Sequence, residues 1–209
     1  MLGRRAVLFG LPLALAGCGA ERVWAPDDSI ARARYRHDGP PVLTLYTSLN
    51  NDTLNGAHTG LLINASERVI FDPAGSFAAT GVPERNDVLF GITPAVEEAY
   101  SAYQSSPGYH LIKLHIPVSA ETAAQAYASA LAAGPVGKTY CTRATATLLK
   151  GLPGFGGLKV SWFPDNLMKQ VAALPGVTAD FIYPADDGYR DAARSAFARD
   201  VQAPRASAP

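Results

Sequence analysis

The chain has 209 residues, 48% of them apolar and 17% charged, so it is long and apolar enough to bury a core, which excludes disorder throughout. The 18 basic and 18 acidic side chains balance, and this excludes nucleic-acid binding through a broad basic surface. With two cysteines, Cys18 and Cys141, neither a disulfide framework nor a four-thiolate zinc site can form within one chain.

The first 17 residues have the pattern of a secretory signal, with two early arginines and then an uncharged run that is too short to span a bilayer as a helix. Residues 15–18, Leu-Ala-Gly-Cys, resemble the lipobox of bacterial lipoproteins, whose cysteine is lipid-modified. The resemblance implies anchoring to the membrane through lipid on Cys18. Gly19 after the cysteine implies the outer membrane of the cell envelope, with the protein facing the periplasm. An ordinary cleaved signal followed by a chance cysteine is the alternative.

The rest of the chain divides into a tether, a domain and a tail. Residues 18–41 carry prolines and charges but show no apolar period, which predicts a tether from the lipid to the domain. Residues 42–185 contain strand and helix patterns and predict one α+β domain. Residues 186–209 are polar and rich in Ala and Arg, which predicts a tail that is disordered at its end.

The domain is predicted to open with strands. Val42–Tyr46 is a run of β-forming residues, and His58–Ile63 and Arg68–Asp72 are two more runs across a short polar gap, which is the pattern of a hairpin. Thr93 followed by Pro94 predicts a helix start, because threonine caps a helix and proline fits its first position. The later patterns predict, in chain order, a strand at 109–118, a helix at 119–133, a helix at 143–150 opened by residues 140–142, a short strand at 160–163, a helix at 164–174 and a strand at 181–183.

One stretch has part of a nucleotide-binding motif. Residues 134–139 end in Gly-Lys-Thr, as a phosphate-binding loop does, but Ala132 stands where that loop needs glycine, and a predicted helix precedes it where the motif needs a strand. We interpret the segment as an ordinary loop. The sequence implies no metal and no organic cofactor.

Cys141 has two interpretations. A free cysteine is often a small core residue. Three features favour a nucleophile instead. Once Cys18 is lipidated, no second cysteine remains to pair with Cys141, and Cys141 lies at a predicted helix start, where free amides and the helix dipole stabilise a thiolate. Histidines and acids elsewhere in the chain complete the minimum set for nucleophilic acyl chemistry.

A cysteine nucleophile needs a histidine, and the chain has four. His37 falls in the predicted tether, where nothing positions it. His110 and His115 lie five residues apart on one predicted strand and therefore face opposite sides. His58 begins a strand after a flexible Asn-Gly-Ala segment, so it is placed at the open end of a sheet. A hydrogen-bonded structural histidine is the alternative for each.

The segments Ala57–Ile63, Val69–Asp72 and Tyr140–Thr142 resemble the circularly permuted branch of the NlpC-type papain-like hydrolases, which includes the lecithin:retinol acyltransferase-like proteins. In that branch the histidine strand precedes the cysteine helix. The resemblance implies a papain-like α+β fold, in which an antiparallel sheet packs against the helix that carries the cysteine.

Carried onto this chain, the resemblance implies Cys141 as the nucleophile, His58 as the base and Asp72 as the group that orients the imidazole. Asp72 shares the face of His58 only if the loop between their strands has three or five residues or contains a bulge, because an even turn at residues 64–67 places them on opposite faces. A turn-forming aspartate before Pro73 is the alternative.

Together these residues predict a lipid-anchored cysteine hydrolase or acyltransferase that acts on an amide or ester. Its location suggests peptidoglycan peptides or membrane lipids as substrates. The main-chain N–H of Cys141 is the expected oxyanion donor, and the Tyr140 hydroxyl is a second. The alternative from another class is a non-catalytic envelope lipoprotein that keeps the fold to bind peptidoglycan, lipid or a partner protein.

Overall fold

The computed structural model describes residues 20–183, which contain five helices and one seven-stranded antiparallel sheet and therefore form an α+β fold. The predicted signal peptide, the predicted lipidation residue Cys18 and the predicted tail from residue 186 lie outside the described residues. Across residues 20–183, no helix has the length and apolar character needed to cross a bilayer.

Most of the elements predicted from the sequence are confirmed, including the hairpin and the helix that begins after Thr93. The Thr93 hydroxyl caps that helix by accepting the N–H of Val96. The strands are β1 (Val42–Asn50), β2 (Gly56–Asn64), β3 (Arg68–Phe71), β4 (Glu84–Arg85), β5 (Val88–Phe90), β6 (Tyr109–Pro117) and β7 (Thr178–Ile182). The helices are α1 (Asp27–Ala33), α2 (Pro94–Gln104), α3 (Ala120–Ala132), α4 (Cys141–Lys150) and α5 (Pro164–Ala172).

The sheet separates two apolar cores. Its strands run in the order β4-β5-β3-β2-β1-β6-β7. Helices α3, α4 and α5 contribute to the larger core on one face, which includes Leu61 of the sheet and Leu149 of α4. Helix α2 contributes Tyr100 to the smaller core on the other face, beside Leu62. Leu61 and Leu62 belong to different cores because successive side chains of a strand point to opposite faces.

The structure corrects several predicted strands. Strand β2 begins at Gly56 rather than at His58, and the last strand is Thr178–Ile182 rather than 181–183. Strand β1 does not stop at Tyr46 but continues to Asn50, because it is central and pairs with both β2 and β6, which buries the polar Thr47 and Ser48. The predicted strand at 160–163 is irregular.

Just before that irregular segment, the main-chain N–H and C=O groups form hydrogen bonds with a side chain instead of with a neighbouring strand. The Gln170 amide bonds both the N–H and the C=O of Lys159, at 2.8 and 3.1 Å. Three apolar residues of the irregular segment are exposed, namely Val160, Trp162 and Phe163.

Residues 20–41 pack against the domain and do not form the predicted tether. Helix α1 inserts Ile30 into the larger core, and Trp24 forms an isolated β-bridge with Arg85. The side-chain amide of Asn64 donates hydrogen bonds to two main-chain oxygens of this segment, at 3.3 and 2.9 Å. The sequence pattern missed α1 because one buried residue in a short helix produces no apolar period.

Helix α2 is fixed to the sheet by a group of charges. The Glu97 carboxylate accepts hydrogen bonds from the Tyr46 hydroxyl at 2.8 Å and from Lys113 and Arg68, each at 2.5 Å. Burial alone raises the pKa of Glu97, but the Lys113 ammonium, the Tyr46 hydroxyl and the Arg68 guanidinium lower it to about 2. The ionised carboxylate anchors the helix that places the Tyr100 side chain in the smaller core.

Candidate active site

Cys141 is the first residue of α4, as the sequence pattern predicts, and its side chain is buried. The helix begins after a left-handed residue, Thr139, and the main-chain oxygen of Tyr140 accepts the N–H of Ala144. The N–H groups of the first helical turn have no acceptor within the helix and carry the positive end of its dipole. No acidic side chain occurs in the first turn of α4. This environment favours a negatively charged sulfur.

Strand β3 is shorter than β2 and does not reach the beginning of β2. This leaves one edge of β2 open to the cysteine. The last residue pair of the two strands joins Leu61 to Phe71, so the beginning of β2 is not covered by β3. The main-chain N–H of Thr59 donates a hydrogen bond to the Cys141 sulfur. The hydroxyl of Thr59 also bonds that of Thr142 at 3.0 Å. These contacts hold the N-terminus of α4 against the open edge.

His58 and Asp72 lie on the same face of the β2–β3 hairpin. The connecting loop has three residues, 65–67, because Asn64 pairs with Arg68, and this is an odd loop of the kind that the family resemblance requires. His58 Nε2 lies 2.7 Å from Asp72 Oδ1. An ionised carboxylate can only accept, so the imidazole donates this hydrogen bond.

The imidazole also faces the cysteine. Because Asp72 engages Nε2, Nδ1 is the ring nitrogen left for the hydrogen bond that joins the His58 and Cys141 side chains. The structure thus brings together all three residues of the predicted set, Cys141, His58 and Asp72, in one hydrogen-bonded series.

A tyrosine and two glycines fix the Asp72 carboxylate. The Tyr100 hydroxyl donates to Asp72 Oδ1 at 2.6 Å, and both residues are buried. Burial and the Asp72 charge raise the pKa of Tyr100, so its hydroxyl remains a donor. A Cβ atom at Gly60 would lie 2.3 Å from that hydroxyl, and one at Gly75 would lie 1.9 Å from Asp72 Oδ2. A side chain at Gly75 would therefore displace the carboxylate, and one at Gly60 would displace the Tyr100 hydroxyl that donates to it.

The electrostatics of the series favour a thiolate beside an imidazolium. Burial by itself lowers the pKa of His58, but the hydrogen bonds to Asp72 and Cys141 and their negative charges raise it to about 10. Burial by itself raises the pKa of Cys141, but His58, the Thr142 hydroxyl and the Thr59 N–H lower it below the ordinary thiol value. Both shifts favour a proton on the imidazole rather than on the sulfur.

Tyr140 does not belong to this series. The residue is 42% exposed, and its ring lies 4.7 Å from the Trp162 ring, centroid to centroid. The Arg143 guanidinium lies over both rings, at 5.9 and 5.0 Å. We call Tyr140, Arg143 and Trp162 the aromatic cluster. The oxyanion role of the Tyr140 hydroxyl stays a prediction.

Two cavities lie near these groups, one beside His58 and one beside the aromatic cluster. One of about 390 Å³ lies beside His58, with hydroxyl and amide groups in its wall. The other, of about 560 Å³, is mainly apolar and runs along α4 from Tyr140 and Arg143. Both volumes fall in the range of small-molecule sites. Besides His58, the first cavity is lined by Ser48, Ala57, Gly75, Ser76, Tyr103 and Gln104 among others.

The other three histidines have different partners. His110 is buried on β6 and its Nδ1 lies 2.8 Å from the Asn51 side-chain oxygen. His115 lies on the same strand and pairs with Asp180 at 2.9 Å. His37 accepts a main-chain N–H from two residues further along the chain, at 3.0 Å. Of the four, His58 is therefore the one whose side chain is bonded to Cys141.

Sequence reasoning missed Tyr100 and Gly60. The helical spacing places Tyr100 on the apolar face of a predicted helix, although a buried tyrosine hydroxyl usually has a hydrogen-bond partner. Gly60 lies inside a strand, where glycine often marks the close approach of another group. These two signals indicate that a polar contact crosses β2 next to His58, but neither names Asp72 as the partner.

No group of three or more His, Cys, Asp or Glu side chains in the described part of the chain is arranged to hold a metal ion. Comparison with protein-family models, with curated proteins and with solved structures finds no match to this chain.

Proposed function

We propose that the protein is a cysteine hydrolase or acyltransferase of papain-like architecture that acts on an amide or ester carbonyl. The observation that carries the proposal is the hydrogen-bonded series from Cys141, at the start of a helix, through His58 on the facing sheet to the buried Asp72. The histidine strand precedes the cysteine helix, which is the order in the permuted NlpC-type branch that the sequence motifs resemble. This order supports that branch over the ordinary papain order.

The first half of the reaction forms an acyl-enzyme. The Cys141 thiolate attacks the carbonyl carbon, and the negative charge that develops on the carbonyl oxygen is stabilised by the main-chain N–H of Cys141 at the positive end of α4. The tetrahedral intermediate collapses as the leaving amine or alkoxide takes the Nδ1 proton of His58. Asp72 keeps the imidazole oriented by accepting the Nε2 proton in a hydrogen bond.

The second half returns the enzyme to its starting state. His58, now neutral, takes a proton from water or from another acyl acceptor, which attacks the thioester carbonyl. The carboxylic acid or the transferred acyl product leaves, and the thiolate and imidazolium form again. The same residues therefore serve a hydrolase and an acyltransferase, and the acceptor that reaches the thioester decides between them.

Peptidoglycan peptides and membrane lipids are the two substrate classes suggested by location, and we place lipid esters first. The aromatic cluster combines two exposed rings with a guanidinium that has no carboxylate partner among residues 20–183, and its Tyr140 directly precedes Cys141 in the chain. Aromatic rings and basic groups are typical of surfaces that contact the headgroup region of a bilayer. An apolar cavity of about 560 Å³ also runs along α4 from this cluster.

We propose that the chain is anchored by lipid on Cys18 at the outer membrane and faces the periplasm. Replacing Cys18 by serine is expected to release the protein from the membrane fraction or to leave its signal uncleaved, because serine cannot carry the thioether-linked lipid. Metabolic labelling with a radioactive fatty acid, followed by fractionation, measures this. Lipid labelling of the serine variant at the level of the unaltered chain would disprove the anchor.

The proposed thiolate is tested by alkylation. In the full chain carrying Cys18→Ser, Cys141 is the one remaining cysteine. The rate of its reaction with iodoacetamide should rise to half its plateau below pH 8.5, the approximate value of an ordinary thiol. Turnover should rise with pH as the thiolate forms and fall again near pH 10, where His58 loses its proton.

The same measurement separates the enzyme from the non-catalytic binder. A binder that keeps the fold has no need of a thiolate, so its cysteine would react slowly and titrate at or above the ordinary value. That result, together with no hydrolysis of phospholipid vesicles, peptidoglycan peptides or a chromogenic aryl ester, would contradict the proposed function.

A further inference from the structure

Asp87 lies in a turn that is remote in sequence from Cys141, yet it contacts the segments that carry the cysteine and the orienting carboxylate. Strands β4 and β5 pair Arg85 with Val88, which leaves Asn86 and Asp87 as a two-residue turn. Both have positive φ angles, 45° and 66°, as a type I′ turn requires. Asn and Asp are the non-glycine residues that best tolerate this conformation. The turn conformation therefore follows from its own residues.

Each carboxylate oxygen of Asp87 accepts a main-chain N–H from a different segment. Oδ1 accepts from Ala74, two residues after Asp72, at 3.2 Å. Oδ2 accepts from Val136, five residues before Cys141, at 2.6 Å. The main-chain oxygen of Asp87 also accepts the N–H of Asp72 at 2.7 Å. One residue thus joins the loop that follows β3 to the loop that precedes α4.

The turn and the two loops that it joins contain most of the non-glycine residues with positive φ angles in residues 20–183. Five non-glycine residues there have positive φ angles. One of them lies in the loop after Asp72, two form the turn itself, and one lies in the loop before Cys141. Such conformations persist where surrounding contacts enforce them, and they concentrate at functional sites. The five residues are Leu54, Ala74, Asn86, Asp87 and Thr139.

We infer that Asp87 is a positioning residue, which sets the separation of Cys141 from the His58–Asp72 pair by tying loop 133–140 to loop 72–75. The inference rests on the proposed function, since the separation matters only if the histidine and the cysteine act together. A carboxylate suits this role because it offers two acceptor oxygens and no donor, so it holds both N–H groups at once.

Two glycine substitutions in the same turn test the inference. Asp87→Gly keeps the positive φ angle and removes both acceptors. Asn86→Gly is the matched control, because it also relieves a positive φ angle, while the side-chain oxygen of Asn86 has no hydrogen-bond partner among residues 20–183. Both are made in the full chain carrying Cys18→Ser. Alkylation of Cys141 by iodoacetamide across pH, hydrolysis of a chromogenic aryl ester and the thermal midpoint are measured for each.

Asp87→Gly is expected to move the half-maximal pH of alkylation upward toward about 8.5 and to lower ester turnover between about 10-fold and 100-fold, because a misplaced imidazolium stabilises the thiolate less. Asn86→Gly should keep the pH profile and the turnover of the parent. Asp87→Asn keeps the turn and one acceptor oxygen and should give an intermediate shift, so it serves if the glycine variant does not fold.

Identical pH profiles for Asp87→Gly and Asn86→Gly, with a difference only in thermal midpoint, would show that Asp87 merely stabilises the turn and would overturn the inference while leaving the proposed function intact. A parent Cys141 that titrates as an ordinary thiol would overturn the proposed function, and the positioning role with it.

Discussion

Replacing Cys141 by alanine is expected to abolish turnover of any amide or ester substrate while leaving the fold intact. The sulfur is the atom that would form the acyl-enzyme, and nothing else in the hydrogen-bonded series can replace it as a nucleophile. Alanine is smaller than cysteine and is a good helix former, so it fits the first position of α4. Hydrolysis of a chromogenic aryl ester and of phospholipid vesicles measures the loss, and circular dichroism checks the fold.

Cys18→Ser, purified from the soluble fraction, is the control for Cys141→Ala, because it removes the other cysteine and leaves the site unchanged. Full activity in Cys141→Ala would end the proposed mechanism. A variant that is inactive because it has unfolded would be recognised by a lost cooperative thermal transition, and Cys141→Ser then provides a side chain of closer size.

Replacing His58 by alanine is expected to raise the pKa of Cys141 and to lower activity by about 10²-fold to 10⁴-fold, the range of positioned acid–base groups. The physical reason is the loss of the imidazolium, which lowers the pKa of the cysteine against the opposing effect of burial. The pH dependence of iodoacetamide alkylation reports the thiolate directly, and the aryl ester reports turnover. Both should change in the same variant.

The chain contains a matched control for that experiment. His115 also pairs with an aspartate, Asp180, but the pair lies on β6 and β7, and neither residue is bonded to the cysteine. His115→Ala should leave the alkylation profile of Cys141 in place. If the large shift occurred in His115→Ala or in His110→Ala instead of His58→Ala, the assignment of the base and the family resemblance would both be wrong.

Two parts of the predicted site could be located from local sequence signals. The composition and turn residues predict a strand that contains His58 and a helix that begins near Cys141, and both elements are present, although the strand begins at Gly56. Asp72 was predicted only from the family resemblance. In contrast, the sequence did not determine whether the β2–β3 loop has an even or an odd number of residues. Residues 64–67 are compatible with an even or an odd connection, and the observed register was needed to place Asp72 on the face of His58.

Other features of the site depend on contacts between distant segments, which no local pattern contains. Tyr100 reaches Asp72 only because α2 packs on the sheet face where the carboxylate lies. Asp87 lies between strands of two and three residues, too short to produce an apolar alternation. Residues 20–41 looked like a tether for the same reason, since Ile30 is the one buried residue of α1.

By itself, the sequence determined the α+β class and most strand and helix positions, because these follow from hydrophobic periodicity, helix capping and turn chemistry. The three residues of the candidate site were predicted from the resemblance of short motifs to the permuted papain-like hydrolases. Only the tertiary structure decided that the three residues meet. Strand β3 stops at Phe71 and leaves the N–H of Thr59 free to bond the Cys141 sulfur, while the three-residue loop turns Asp72 toward His58. Register and strand length are settled by the pairing of whole strands and by the packing of both sheet faces, so they are properties of the assembled fold.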